Sequence, residues 1–196
     1  MSNVLAPWRS PLSRALHRNR SQPFSRYLQL ATITPEGYPA NRTVVFRGFT
    51  PQGNKLKIIT DVRSEKFQQL HHCPWGEICW YFSQTREQFR LFGSIQVIDA
   101  HSPDATGQQW RLETWQSLSE AARLQLAWPT PKAPREPNPE AFRPPPPSPE
   151  MPLPTFCLLC LSPQRVEHLE LRGEPQNRWL FWLDEENLWQ QQGVNP

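Results

Sequence analysis

Residues 41–49 read NRTVVFRGF. Val44, Val45 and Phe46 are three apolar residues in succession, the mark of a short core strand. Arg42 and Arg47 stand close on either side. A core strand has no use for a guanidinium at each end, so the stretch points to an anion nearby.

The flanking segments predict the kind of sheet this strand joins. In residues 26–49, Leu28, Leu30 and Thr32 alternate with Gln29, Ala31 and Ile33, and TPEGYP supplies a turn before the arginine-flanked strand. A second turn signal, TPQGN, precedes a third strand, KLKIIT. The segment SEKFQQLHH places Phe67 and Leu70 three apart behind Ser64, which predicts a short helix capped by that serine. GEICWYF and EQFRLFGSIQVID are two more strands, the second alternating at Phe89, Leu91, Ile95 and Val97. From Asp104 to Ala127 the pattern is helical, with Trp110, Trp115, Leu118 and Leu124. TFCLLCL, RVEHLEL and RWLFWL are read as three separate late strands. Ser10 before Pro11 predicts the start of an N-terminal helix.

Between Pro129 and Pro154 lie 12 of the 23 prolines. Such a run cannot be helix or central strand. It predicts an extended loop at 129–154 inside one domain spanning 1–196, because patterned strands resume after it. The chain thus reads as mainly β: five to eight strands, mostly antiparallel, with three helices packed outside. A small barrel closes that many strands without leaving edges.

Composition narrows the chemistry. The 196 residues carry a net charge of +3, too small an excess for bulk nucleic-acid binding. Of the 21 basic residues 17 are arginine, which favours planar, bidentate recognition of phosphate or carboxylate. No segment reaches the ~20 apolar residues of a membrane span, and the N-terminus has no apolar run of signal-peptide length. Together these predict a cytoplasmic protein with reduced thiols. Cys157 and Cys160 form a C-x-x-C, but residues three apart on a strand point to opposite faces, and no second pair completes a metal set. No G-x-S-x-G, G-x-G-x-x-G or P-loop is present, and His17, His71, His72, His101 and His168 sit in undistinguished contexts.

Three strands in turn are followed by basic and hydroxyl groups. After the third comes Thr60, then Ser64 and Lys66 at a strand-to-helix junction, where free N–H groups and the helix dipole receive a phosphate. Arg42 supplies a bidentate contact. Gln88 and Arg90 lie two apart on one strand face, able to address the polar edges of a flat ring.

In this order the motifs resemble the pyridoxamine 5'-phosphate oxidase superfamily, and more narrowly its branch of oxidase-related FMN-binding proteins. RTVVFR matches the family's R-x-V-x-x-[KR] strand, Thr60 with Ser64 and Lys66 its hydroxyl and S-x-K junction, and Gln88, Arg90 and Gly93 its next flavin strand. Pro152, Pro154, Phe156, Glu167 and Arg178 fit its late frame. The resemblance implies a six-stranded antiparallel Greek-key split barrel that dimerises, with FMN in each of two clefts between subunits. It implies flavin contacts from Arg42, Thr43, Val44, Val45, Arg47, Ile59, Thr60, Ser64, Lys66, Gln88 and Arg90. Among these, Arg42, Lys66 and the Thr60–Ser64 junction take the phosphate, while Arg47 and Gln88 approach the ring. Arg178 is implied as a contact to a small anionic substrate.

The substrate half of the family pattern is mostly absent. The family's tyrosine, arginine and serine on the helical stretch are not in register here, where Arg111 and Ser117 are the nearest matches. The sequence has LSE in place of the glutamine–serine pair, and Leu169 and Trp182 where a tryptophan and a second arginine belong. The implied activity is hydride transfer from an unidentified small substrate to flavin N5. The alternative is a protein that holds flavin, haem or a deazaflavin without turnover.

Overall fold

The computed structural model describes residues 5–51 and 53–196; Gln52 of the TPQGN turn lies outside the described residues, as do residues 1–4. The first element is helix α1 (Arg9–Arg18). It begins one residue before Ser10: Trp8 holds the cap position without a side-chain cap and is fully buried, while Pro11 falls in the first turn. A 3-10 turn at Pro23–Arg26 leads into β1 (Tyr27–Ile33), β2 (Pro39–Phe49) and β3 (Leu56–Asp61). Helix α2 (Glu65–His72) then crosses to β4 (Trp75–Phe82) and β5 (Glu87–Ile98).

These strands run in the order β3–β2–β1–β4–β5–β6, all antiparallel, and β6 (Phe156–Glu170) pairs back onto β3 to close a six-stranded barrel. Closure leaves no edge among the six. Alternate residues fill the interior: Leu28 and Leu30, Val44 and Phe46, Ile78 and Trp80, Phe89 and Leu91, Cys157 and Leu159. The sequence alternation thus reports the barrel's inside and outside.

RVEHLEL does not form a strand of its own, because β6 continues through it for 15 residues. The first part of β6, to Leu161, pairs with β3, and the last part, from Arg165, pairs with β7 (Asn177–Leu183). Pro163 survives within it because the ladder to β5 slips there, opposite Gly93. A Cβ on Gly93 would overlap the Ser162 carbonyl, so only glycine fits. That glycine lies within the strand, since β5 runs on to Ile98. A further strand, β8 (Trp189–Val194), pairs with β7, so β7 and β8 extend the sheet beyond the barrel.

The helical stretch at 104–127 is two helices, α3 (Ala105–Gln116) and α4 (Glu120–Gln125), capped by the Asp104 and Ser119 side chains. α3 covers the barrel's outside. Trp110 packs on Ile98, Leu158 and Cys160, while Trp115 packs on Phe156. Cys157 and Cys160 do point to opposite sides, and burial pushes their thiols up to about 12 and about 11. The buried Arg111 is structural: its guanidinium donates to the Phe156 and Leu153 carbonyls, tying down the start of β6. Trp115 Nε1 reaches the Ser148 carbonyl (2.9 Å), and Trp128 meets Phe142 edge-on, so the proline segment lies against the helices.

Candidate functional site

Arg42, Val44 and Phe46 share the inward face of β2, and the last two enter the core. Arg42 comes where the barrel ends, so its guanidinium turns to the mouth. It donates to the Leu30 carbonyl (3.1 Å), Thr32 Oγ1 (2.5 Å) and Gln69 Oε1 (2.8 Å), which fastens α2 to the barrel. Beside it, Lys66 Nζ donates to Thr60 Oγ1 (3.0 Å). Ser64 Oγ donates to the Asp61 carbonyl (2.7 Å), so the Thr60–Ser64 contact (3.0 Å) carries the threonine's proton. Lysine, threonine and serine thus form one oriented chain of hydrogen bonds.

Ser64 occupies the cap position of α2, but it makes no cap hydrogen bond: its hydroxyl is turned back to β3, donating to the Asp61 carbonyl and accepting from Thr60. The helix start therefore faces a cleft of ≈ 350 Å³ whose lining includes Asn41, Arg42, Ser64, Glu65, Lys66 and Lys132. Burial, and then the neighbouring charge of Arg42, lower the Lys66 pKa from its ordinary 10.5. Lys132 is held by Glu65 (2.6 Å) at the mouth. Lys66 has no carboxylate partner of its own among the described residues. An anion set between Arg42 and Lys66 relieves the repulsion and satisfies the helix end. Thr60 is buried and reaches this cleft only through the ammonium it holds, and Ile59 packs under α3.

The two arginines that flank the strand do not converge. Five positions apart, they fall on opposite faces. Thr43, Val45 and Arg47 look outward. The outer row runs from Thr43 through Gln29 and Cys79 to Arg90, one strand at a time. Arg90 is therefore three strand spacings from β2, roughly 14 Å, and on the other side of the sheet from Arg42. Arg47 Nε is buried without a hydrogen-bond partner. Burial first, then the charge of Arg26, lower its pKa.

Gln88 shares the outer face with Arg90 and lies opposite Tyr81. Arg90 pairs with Glu77 (2.6 Å) and Glu167 (3.7 Å), and Arg178 pairs with Glu167 (3.2 Å). The residue expected to orient a substrate is thus half neutralised within the chain. Glu77 has no counterpart in the sequence reading, nor does the buried pair His168–Glu87 (2.9 Å). The second had a signal: Glu87 falls in the inward register with Phe89 and Leu91, and an inward carboxylate needs a partner.

A closed antiparallel barrel with a cationic cleft at a strand-to-helix junction defines the class of the FMN-binding split barrels. Comparison with known proteins agrees. Residues 5–99 match the family described as "Pyridoxamine 5'-phosphate oxidase, FMN-binding domain". Pyridoxine/pyridoxamine 5'-phosphate oxidase 2 of Arabidopsis thaliana is 42% identical over 203 residues, covering 100% of both chains. A pyridoxine/pyridoxamine 5'-phosphate oxidase of Gloeothece citriformis is 30% identical, over 46% of this chain and 43% of its own. Among solved structures, a pyridoxamine 5'-phosphate oxidase-related, FMN binding protein from Nostoc punctiforme superposes with a TM-score of 0.96 at 53% identity, over 98% of this chain and 100% of that one. PhzG from Burkholderia lata, at 18% identity and a TM-score of 0.75 over 95% and 91%, shares the fold.

The chain belongs to the pyridoxamine 5'-phosphate oxidase-related FMN-binding family, and FMN is the cofactor that membership assigns. The donor set fits that group: two crowded cations, neither ion-paired to a carboxylate among the described residues, suit a phosphate, and the orphaned Arg47 Nε suits a polar ring edge.

Proposed function

We propose that this protein is an FMN-dependent oxidoreductase, working as a homodimer in the cytoplasm with its whole length as one domain. The observation that carries the reading is the convergence of Arg42 and Lys66 on the cleft at the uncapped start of α2. These two would hold the phosphate, with Thr60 and Ser64 orienting the ammonium. Arg47, with a donor to spare, and Gln88 would address the ring, and the Thr43–Val45 and Ile59 segments would border it. When bound, the flavin supplies a two-electron acceptor for hydride transfer from a small anionic substrate.

Dimerisation is supported by the outer face of β1, β4 and β5. Tyr27 and Tyr81 are about half exposed there, and Trp75 stacks on Phe92 at 5.4 Å. One face carrying that much aromatic surface favours a second copy over water. It also gives Gln88 and Arg90 a route to a flavin held by the partner's cleft, which a single chain's geometry denies them.

A second reading has its own support. Glu77 and Glu167 already neutralise Arg90 and Arg178, which suits a flavin carrier without turnover. Anaerobic reduction followed by air, with peroxide measured, separates the two. Pyridoxine and pyridoxamine 5'-phosphate are the first substrates to try, given the names of the relatives. Sustained peroxide production supports the oxidase; colour without turnover supports the carrier. Protein that is colourless, monomeric and unable to take up FMN contradicts both.

A further inference from the structure

On the opposite side of the barrel from the anion cleft, β5 and β6 carry a cluster that the flavin reading does not use. Their register sets Glu87 directly against Glu170 and Phe89 against His168, all on the inward face. Two carboxylates facing each other across a ladder repel and cost stability unless a positive group sits between them. His168 Nε2 approaches Glu87 Oε2 at 2.9 Å, and its ring is fixed by stacking on Phe89 (centroids 4.0 Å apart, planes 10° apart). One donor atom from each of Glu87, His168 and Glu170 lies within 4.8 Å of the other two.

We propose that Glu87, His168 and Glu170 form a binding site for a divalent cation of the zinc class. One imidazole and two carboxylates suit such an ion, and they leave a fourth position free. That position opens on a second cleft, of ≈ 290 Å³, between α1 and the β7–β8 extension, where His168 and Glu170 line the floor and Trp179 and Gln191 the wall. Among the described residues, Arg18 and Arg14 lie near. Arg18 acts on Glu87 from the end of α1, and Arg14 lines the cleft but donates to Ser10 Oγ (3.4 Å). Glu170 has no ion-pair partner among the described residues. The ion takes the place of the Nε2–Glu87 hydrogen bond and draws Glu170 in, which ends the repulsion across the ladder. The site is independent of flavin, since none of its residues touches the Arg42–Lys66 cleft.

Calorimetric titration of the purified, chelator-washed holoprotein with zinc chloride tests this. The expected result is saturable binding of one ion per chain. Glu170→Gln, at a partly exposed position, weakens it at least about 10-fold while the metal-free melting temperature stays level or rises, as the repulsion across the ladder is relieved, and His168→Gln removes it. His71→Ala with His72→Ala, exposed imidazoles at the end of α2, leaves it intact. Absence of saturable binding, equal affinity in Glu170→Gln, or loss that follows the His71 and His72 substitutions overturns the proposal.

Discussion

The mouth of the barrel and the outer face of β5 and β7 treat their cations in opposite ways. On the inward side, Arg42 and Lys66 stand together at the barrel mouth, hydrogen-bonded to neutral oxygens, with Asp61 and Glu65 nearby but not ion-paired to either. On the outward side, Arg90 and Arg178 are matched by Glu77 and Glu167. A guanidinium beside a carboxylate already has its charge balanced, even though Arg178 Nε keeps no hydrogen-bond partner, whereas crowded, half-buried cations gain most when something anionic arrives. The number of arginines on a strand therefore says less about ligand binding than which of them the fold leaves without a partner.

The strongest challenge to this contrast is Arg42→Ala. It removes charge-assisted donors worth about 1.5–3 kcal/mol each, so FMN affinity should fall at least about 100-fold. The same substitution leaves Gln69 and Thr32 short of a partner, so flavin content should be compared with Arg42→Lys, which keeps the charge and loses the fork. Lys66→Met should weaken FMN about 10-fold while leaving riboflavin affinity unchanged, as titration of flavin fluorescence would show. If both ligands weaken equally, Lys66 serves the fold and not the phosphate.

The same lysine sharpens the contrast through pH. Its folded pKa lies below 10.5, so between that lowered value and 10.5 the unfolded chain holds more protons than the folded one. Stability of the flavin-free protein should therefore rise with pH across that window relative to Lys66→Met. Denaturant midpoints of the two proteins, taken side by side, measure it, and parallel curves would contradict the assigned environment. The smallest effect is expected outside: Arg90→Ala should change FMN affinity within about 3-fold, because Glu77 and Glu167 already pair its guanidinium and leave it little to give a flavin across the interface.

Much of the barrel was legible because alternation in β1 and β5 reports burial directly. The unbroken β6 was not, since Pro163 argues against a strand until the slip opposite Gly93 is seen. Nor was β8, whose WQQQGV lies at an edge where polar residues carry no pattern. At the candidate site, Ser64 and Lys66 were legible because they belong to one local strand-to-helix unit, and Arg42 because a guanidinium stands close beside the apolar run of β2. The pairing of Glu167 with Arg90 and Arg178 could not, because it depends on register between β5, β6 and β7. The separation of Arg42 from Arg47 was present in their odd spacing and needed only the strand's full extent to become visible.

The most direct trial is a side-by-side titration of flavin-free wild-type protein with FMN and with riboflavin, which differ by the phosphate alone. Charge-assisted contacts from Arg42 and Lys66 predict that FMN binds at least about 100-fold more tightly. Equal affinities for the two would contradict the phosphate cleft.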